Sequence, residues 1–525
     1  MATIITGASV TSEGIVTNTL GTSNFVAGVN AGNSIVSGGN NNTLIGDEAG
    51  TAVTTGDSNT AVGYESLAAN TTGTRNTAVG ANALDANTTG NYNTASGYNT
   101  LGANTTGGYN SGCGDSELVN NTTCVRNSAV GHAALLDNTT GDYNTAIGMQ
   151  ALTNNTTADN NTAVGYDSLG GNTTGANNTS VGKSALGANT TGADNTAVGK
   201  SALDSNTTGL SNTAVGMLCL DENSTGNYNT AIGKQALGNN TTASNNTAAG
   251  FWSLLANTTG ANNSAFGHNA LKSNTTGTQN VSVGYEAFKN GTTGSYCTAI
   301  GVQALQAIVT GDNNVAVGRK AMYDNTSGAN NTAVGNAAGD GITTGSQNTL
   351  LGSGTGVSSA GVTQENVIGY NAQGVGTGYT VVGFGTSKSW LYQGQTSWSG
   401  SSDSRLKDNI TTSTAGLSFI NDLRPVTYEW KAKGDVPVEL DSYEEGSTVR
   451  VNGTDKVQHG FIAQEVKAAI DAHSDIGNGH GMWNELSDGT QGVAQGQLVP
   501  MLVKAIQELS TQNDELAARL TALEA

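Results

Sequence analysis

The chain is poor in the residues that build ordinary globular cores. Of its 525 residues, 5% are aromatic, 11% are charged and three are prolines, whereas 74 are glycines. A globular chain of this length normally divides into several domains, each with its own core. The scarcity of aromatic side chains argues against several such cores and favours a repetitive architecture.

Basic charge is scarce as well. Acidic residues outnumber basic ones 40 to 20, which gives a net charge of −20. Nucleic-acid binding needs a basic surface that displaces counterions, so this balance disfavours a nucleic-acid partner. No apolar run approaches the roughly 18 residues that a membrane-spanning helix requires, so membrane insertion is not predicted either.

Cysteine is rare and carries no recognisable motif. Cys113, Cys124, Cys219 and Cys297 form no CxxC pair and no zinc-ligand spacing, so we predict no disulfide, no metal and no other cofactor. Cys113 replaces a repeated valine and Cys219 a repeated alanine, so both are expected to be small buried residues. Residues 1–6 lack a basic region followed by an apolar run, which predicts synthesis in a cytoplasm without a signal peptide.

Charge density divides the chain near residue 400. Residues 1–401 contain 10 basic and 21 acidic residues, whereas residues 402–525 contain 10 and 19 in less than a third of the length. All three prolines, Pro425, Pro437 and Pro500, lie in the second part. We therefore expect two parts with different architectures.

The first part is an internal repeat. Blocks resembling Asn-Thr-Ala-Val-Gly recur every 17 residues from Asn42 to Asn348, which makes 19 copies with the consensus NTAVGxxALxxNTTGxx. A constant period of this length is typical of a solenoid or an array. One repeat cannot bury its own apolar residues, but stacked repeats can.

The pattern predicts how one repeat is built. Two glycine-marked turns leave room for two short strands per repeat. The valine of each Thr-Ala-Val is expected to face the core together with the leucine five residues later, and the asparagines are expected to stack into amide ladders between rungs. With one rung per repeat, 19 rungs at about 4.8 Å give a β rod roughly 90 Å long. An intertwined three-chain β-prism is the main structural alternative.

The repeat becomes irregular at both edges. Before Asn42 the spacing shortens, so residues 1–41 are predicted to be an N-terminal cap or an attachment segment, and residues 42–375 the rod. After Asn348 the pattern slips by one, to Asn366. Residues 376–401 collect aromatics, including Trp390, Tyr392 and Trp398, and are predicted to form a neck or tip.

The last residues, 497–525, are predicted to form a coiled-coil helix. Its apolar residues and one asparagine alternate in steps of three and four, as heptad core positions do: Ile506, Leu509, Asn513, Leu516, Leu520 and Leu523. Three heptads are short for an isolated coil, so the helix is expected to pack on the preceding domain.

Three sequence blocks precede this helix in a fixed order. They read SDSRLKDNI at 402–410, LRPVTYEW at 423–430 and HGFIAQEV at 459–466. Together with the helix they resemble the intramolecular chaperone auto-processing domain that ends phage endosialidases, tail spikes and tail fibres. The resemblance implies a small α+β domain over residues 402–525 that trimerises the upstream chain and then cuts itself off. The repeat itself resembles the β-roll head of trimeric adhesins.

The resemblance also assigns roles to residues. It implies a scissile bond between Ser401 and Ser402, with Ser402 as nucleophile and Lys407 as general base. A serine needs a neighbour that takes its proton, and a lysine does so only when burial or nearby positive charge lowers its pKa. Arg405 is expected to supply that charge or to anchor the fold, and Asp403 to cap a helix.

Several further residues carry open alternatives. His459 and Glu465 match the third block, and either support the site or hold subunits together. Trp390, Tyr392 and Trp398 either stack on host sugars or pack as a trimer cap. The scattered acids Asp85, Asp137, Asp142 and Glu222 raise the possibility of a glycan-cleaving pair, but near-identical rungs offer no single shaped groove.

These observations predict a homotrimeric phage tail-fibre or tail-spike subunit located in the virion. Its partners would be other copies of the chain, phage tail or baseplate proteins, and a glycan or protein on the host surface. The only enzymatic activity expected is self-cleavage by a Ser–Lys dyad. A self-processing surface adhesin, a glycan-degrading tail spike and an ice-binding solenoid are the alternatives.

Overall fold

The computed structural model describes residues 8–11, 14–17, 19–473, 476 and 481–524. The chain divides into two compact units, residues 1–401 and 402–525. The first unit is almost entirely β, and the described residues of the second combine short strands with α-helices and short 3₁₀ turns.

A continuous ladder of short parallel strands builds the first unit. Each strand from β3 to β24 pairs with its neighbours in sequence order. The bounds are β3 Phe25–Ala27, β4 Thr43–Ile45, β5 Thr60–Val62, β6 Thr77–Val79, β7 Thr94–Ser96, β8 Ser111–Cys113, β9 Ser128–Val130, β10 Thr145–Ile147, β11 Thr162–Val164, β12 Thr179–Val181, β13 Thr196–Val198, β14 Thr213–Val215, β15 Thr230–Ile232, β16 Thr247–Ala249, β17 Ser264–Phe266, β18 Val281–Val283, β19 Thr298–Ile300, β20 Val315–Val317, β21 Thr332–Val334, β22 Thr349–Leu351, β23 Asn366–Tyr370 and β24 Tyr379–Phe384. The unit is thus a β-solenoid of about 21 turns.

Each repeat forms one rung, as predicted. Thr60 pairs with Thr77 and Val62 with Val79, so neighbouring strands are offset by one 17-residue period. The prediction of two strands per repeat is wrong, because only one segment of each rung is a strand. The remaining backbone is satisfied without a second strand, since Leu67 N–H donates to the Ala83 carbonyl at 2.9 Å and Thr71 N–H to that of Thr88 at 2.9 Å.

The interior of the solenoid is narrow and is filled within one chain. The central residue of each strand from β4 to β22 is buried and is alanine in most of them, and a buried leucine follows in most rungs, for example Ala61 and Leu67 at 0% exposure. A core that closes within a single chain does not fit the three-chain β-prism. The predicted inward valine is wrong: Val79 is 40% exposed. In a three-residue strand only the central side chain faces inward, so its two neighbours face outward.

The cysteines follow the same geometry. Cys113 occupies the outward valine position and is exposed, contrary to the prediction. Cys219 occupies an inward alanine position and is buried, as predicted. Cys124 and Cys297 are also buried, and burial raises the pKa of each of these two thiols to about 11.

Two ladders of buried asparagines tie successive rungs together. In the first ladder, Asn195 Nδ2 donates to the Gly209 carbonyl at 2.9 Å, and Asn195 Oδ1 accepts from Asn212 N–H at 2.9 Å. In the second, Asn87 Nδ2 donates to Asn70 Oδ1 at 2.8 Å. Because these amides serve buried backbone groups, they are structural, as the repeat pattern predicts.

The ladder extends beyond both predicted edges of the rod. At its start, β3 pairs with β4, so a rung forms before Asn42. The slip predicted after Asn348 does not occur in the backbone, because Thr349 pairs with Asn366 at the usual offset, and Glu365 takes the place of the ladder asparagine. At its end, β24 is followed by the antiparallel strands β25 (Ser387–Tyr392) and β26 (Ser399–Gly400).

A separate antiparallel hairpin precedes the ladder. It consists of β1 (Ala8–Thr11) and β2 (Gly14–Thr17), which lie within the predicted N-terminal segment. Residues 1–7, 12, 13 and 18 of that segment lie outside the described residues.

The C-terminal unit is a small α+β domain. Its elements are α1 (Leu417–Asp422), β27 (Val426–Tyr428), β28 (Gln458–Gly460), α2 (Ala463–Ala472), β29 (Trp483–Glu485), β30 (Gln491–Val493) and α3 (Val499–Glu524). A compact core gathers Phe419, Val466, Ile470, Met482 and Leu498. In the described part of the chain, no helix has both the length and the apolar character needed to cross a membrane.

Candidate functional site

A tight turn brings a serine and a lysine together at the start of the C-terminal unit. Asp403 caps a 3₁₀ turn over Ser404–Leu406, because its carboxylate accepts the Arg405 N–H at 2.9 Å. Lys407 ends the turn and its side chain returns toward Ser402. Lys407 Nζ donates to Ser402 Oγ at 2.8 Å. The structure therefore joins the two residues that the sequence singles out as nucleophile and base.

Asp403 and Arg405 form an ion pair beside this contact. Arg405 Nε lies 3.1 Å from both carboxylate oxygens of Asp403. The hydrogen bonds from Arg405 lower the pKa of the Asp403 carboxyl and raise that of the guanidinium. Arg405 thus balances the charge of Asp403, which otherwise would favour the protonated form of a nearby amine.

The Ser402–Lys407 contact is open to solvent. Both residues and all their neighbours from 401 to 410 are exposed. A lysine becomes a base when burial or positive charge disfavours its ammonium form. The turn therefore supplies the geometry of a nucleophile and a base, and the single chain leaves the site uncovered.

His459 and Glu465 are held by other contacts. Glu465 lies in the first turn of α2 and accepts a hydrogen bond from Arg424 Nε at 3.0 Å. This hydrogen bond lowers the pKa of the Glu465 carboxyl. His459 lies in β28 opposite Thr427 and lines an open cleft of about 520 Å³. Within the described residues, neither side chain is hydrogen-bonded to Ser402 or Lys407. Through Arg424, Glu465 links the sequence block at 423–430 to the block at 459–466, a pairing that sequence reasoning missed.

The three aromatic residues of the neck have different environments. Trp390 lies opposite Val381 and packs against the solenoid core, so it belongs to the cap of the rod. Tyr392 packs edge-on against Tyr379, with ring centroids 4.9 Å apart, and remains 50% exposed. Trp398 is 52% exposed. Tyr392 and Trp398 therefore expose side-chain surface that a partner can contact, whereas Trp390 is packed against the rod.

The heptad residues of α3 lie on the surface of the single chain. The helix is anchored at its beginning, where Ala505 is buried and Glu508 accepts from the Leu417 N–H at 2.7 Å. Farther along, the apolar heptad residues are exposed by 45–65%: Ile506, Leu509, Leu516 and Leu520. Asn513 is exposed among them. A helix with an uncovered apolar seam is suited to pair with other helices.

One surface feature of the rod was missed by the sequence analysis. Lys234, Phe251, His268 and Tyr285 stack in one column across four rungs, with neighbouring groups 5.2–5.8 Å apart. The signal was available, because these residues are spaced by one repeat each.

The candidate glycan-cleaving acids are not gathered into a groove. Asp142 accepts a backbone N–H of the neighbouring rung, from Val125, at 2.7 Å, and Asp137 accepts from Asn120 at 3.0 Å. Burial raises the pKa of the Asp85 carboxyl. Among the described residues there is no group of histidine, cysteine and acidic side chains suited to a metal.

The comparisons with known proteins bear on the C-terminal unit. Residues 402–475 match the family model Peptidase_S74, the chaperone of endosialidase. This match begins at the serine that contacts Lys407, and the family in general carries autoproteolytic serine-peptidase activity. The domain and the long β-solenoid together fit a tail fibre or tail spike that ends in a chaperone domain. No curated protein and no solved structure matches the chain.

Proposed function

We propose that the chain is a subunit of a homotrimeric bacteriophage tail fibre or tail spike, and that its C-terminal domain cuts itself off between Ser401 and Ser402. The observation that carries the proposal is the 2.8 Å contact between Lys407 Nζ and Ser402 Oγ. It lies at the first residue of the matched family segment and of the second compact unit. A cut there would separate the two units without breaking either core.

The chemistry follows from this contact. Ser402 Oγ attacks the carbonyl carbon of Ser401 while neutral Lys407 takes the hydroxyl proton. The C–N bond breaks, the proton passes to the nitrogen of Ser402, and an ester joins Ser401 to Ser402 Oγ. Water then hydrolyses the ester, which leaves a carboxylate on Ser401 and restores the Ser402 hydroxyl. Each chain reacts once, because its substrate is its own backbone.

Exposure of the site supports an order of events. Lys407 lies in an open turn, and a lysine acts as a base where burial or nearby positive charge disfavours its ammonium form, so the dyad becomes active only after another surface covers it. Other copies of the chain can supply that surface when their C-terminal units assemble. Self-cleavage would then follow trimerisation and report that assembly is complete.

The proposed trimer rests on α3. Its apolar heptad seam is uncovered over residues 506–523, and Asn513 occupies a core position, where a polar residue selects register. Aligning identical repeats by themselves allows many registers that differ by whole rungs. A clamp at one end selects a single register, and its removal leaves the assembled rod kinetically trapped.

The remaining roles follow from this assembly. The rod is a spacer, made in the host cytoplasm and carried in the virion, and its N-terminal segment attaches to tail or baseplate proteins. After cleavage the neck becomes a free end. Tyr392 and Trp398 are the exposed aromatic residues there and would contact a host glycan or protein.

The test is the intact mass of the purified protein beside its variants. We expect the wild type to yield a fragment ending at Ser401, and Ser402→Ala and Lys407→Met to slow its formation by about 100-fold or more. Ser404→Ala, in the same turn, is the matched control and should be cut normally. A wild-type protein that remains full-length would sink the proposal and leave the domain as a permanent clamp.

A further inference from the structure

The outer face of the solenoid ladder carries two columns of side chains. In each strand from β4 to β24, the residues before and after the buried central residue face outward. We call the column after the buried residue, from Ile45 to Val382, the outward apolar column. In 18 of its 21 rungs it holds valine, isoleucine, leucine or phenylalanine.

Strand propensity does not explain this column. Short strands favour β-branched residues, and both threonine and valine satisfy that preference. The column before the buried residue is mostly threonine, whereas the column after it is mostly valine and isoleucine. Since the backbone requirement is the same, the choice of an apolar side chain on one of the two columns reflects its surroundings.

Those surroundings are solvent in the single chain. Val130, Ile147 and Ile232 are 44%, 43% and 47% exposed, and Leu351 is 48% exposed. Neither column contains a charged residue in any of these rungs. Scattered exposed apolar residues are normal, but an apolar band that runs through most of 21 rungs marks an interaction surface.

The area and axial spacing of the outward apolar column indicate which kind of partner covers it. Twenty-one rungs at about 4.8 Å and an outer face about 7 Å wide give roughly 700 Å². This approaches the roughly 800 Å² that each partner buries in a stable protein interface. A partner that covers it must present complementary groups with the same axial spacing, and another copy of this rod does so by construction.

The C-terminal helix α3 gives independent support for another copy of this chain as the partner of the column. The exposed heptad seam of α3 is suited to identical helices that run in parallel. Chains clamped in that way run in the same direction and in one register. Equivalent rungs would then lie at the same height along neighbouring rods.

We propose that copies of this chain associate side by side along the outward apolar column, in parallel and in register. The proposal deepens the proposed trimer by assigning its contact surface in the rod. It does not depend on self-cleavage. It also explains how the rods stay together after the C-terminal clamp has been removed, because the column lies wholly within residues 1–401.

Cys113 is a natural reporter of this surface. It occupies the outward apolar column in β8 and is the one exposed cysteine among the four. The other three cysteines are buried in the solenoid. A maleimide reagent added to the native protein therefore measures whether this column is covered.

The experiment compares three full-length proteins in a Ser402→Ala background, which keeps α3 attached. The first carries no other change. The second carries Val79→Lys, Val130→Lys and Ile147→Lys, which place charge in the column on both sides of Cys113. The third carries Thr89→Lys, Thr140→Lys and Thr157→Lys, which place the same charge on the same three rungs at exposed threonines away from the strands.

We expect Cys113 in the first and third proteins to react at least tenfold more slowly than in the second, as followed by intact mass. Circular dichroism checks that the second protein is folded. If the triple variant does not fold, a protein with Val130→Lys alone replaces it in the comparison. Rapid labelling of Cys113 in an oligomeric first protein would overturn the assigned surface while leaving the trimer and self-cleavage standing. Slow labelling in a protein that sedimentation shows to be monomeric would also overturn it. A monomer that labels rapidly would overturn both the surface and the trimer.

Discussion

At the residue scale, one buried carboxyl shows how the rod accommodates an exception. Glu117 is fully buried where most rungs place the alanine that precedes the buried leucine. Thr100, one rung earlier, donates to Glu117 Oε2 at 3.0 Å. Gly112 replaces the central alanine of its strand, and a Cβ there would lie 2.5 Å from Thr100 Cγ2. The three residues therefore pack as one group, although they lie on neighbouring rungs up to 17 residues apart.

Glu117 makes the stability of the rod depend on pH. Burial raises the pKa of its carboxyl, and Oε1 has no hydrogen-bond partner among the described residues. A carboxyl whose folded-state pKa is raised favours folding while it is protonated. This contribution is present below the unfolded pKa, about 4.3, and is lost as pH rises through the folded value.

We expect Glu117→Gln to remove this loss. The variant should be more stable than the wild type at pH 7 by about 1–3 kcal/mol, because a neutral amide replaces a carboxyl whose charged form is penalised by burial, and an unsatisfied buried group costs most when it is charged. The difference should shrink toward pH 4. Thermal unfolding at both pH values measures it, with the exposed Glu222→Gln as control. An equal effect at the two pH values would contradict a protonation origin.

At the element scale, each rung contains left-handed backbone conformations that are unfavourable for residues other than glycine. In one rung, Glu65, Leu67 and Arg75 have φ values of 53°, 57° and 56°, in the left-handed region. Each such residue costs of order 1 kcal/mol or more and persists because its surroundings determine it. Here the surroundings are the rung-to-rung hydrogen bonds and the buried leucine, both repeated in every period.

Two glycines of the repeat differ in how strictly they are required. Gly199, which follows the strand, has a φ of 137°, and a Cβ there would lie 2.5 Å from the Gly216 carbonyl oxygen. Gly209 is also crowded, but Ala158 and Ala243 occupy its equivalent in other rungs.

We therefore expect Gly199→Ala to destabilise the rod by about 3 kcal/mol or more, because strain in φ adds to the steric clash. Gly209→Ala should cost about 1 kcal/mol, since the chain already tolerates alanine at that place. Thermal unfolding of the two variants gives the comparison. Equal costs would show that crowding alone, and not the backbone angle, imposes the glycine.

The sequence predicted one rung per repeat and the asparagine ladders, but not the number of strands or the direction of the valines. Periodicity shows that alternate residues face opposite sides. It does not show which side is inside. The closure of the whole rung decides this, and it turns Ala61 inward and Val62 outward.

At the scale of the whole molecule, assembly should depend on α3. In a Ser402→Ala background, Leu516→Lys together with Leu520→Lys should prevent the chains from assembling and leave smaller species, because two core positions of a three-heptad coil then carry like charges. Gln507→Lys together with Ala518→Lys adds the same charge to exposed helix positions outside the seam. Sedimentation velocity separates the cases. Unchanged assembly of the Leu516/Leu520 variant would remove α3 from the interface.

The sequence by itself determined the features that depend on local order and period. These are the 17-residue rung, the division near residue 400 and the heptad helix, whereas the paired roles of Ser402 and Lys407 stay a prediction from the family resemblance. They are readable because each is encoded in adjacent residues or in a constant spacing.

Only the tertiary structure decided the features that depend on how distant residues meet. It turned the alanines inward and the valines outward, packed Trp390 into the cap, and paired Glu465 with Arg424. It also showed that Lys407 reaches Ser402 while both stay open to solvent. Interior width, side-chain reach and burial are properties of the closed chain, since each requires the positions of residues from several rungs or elements at once.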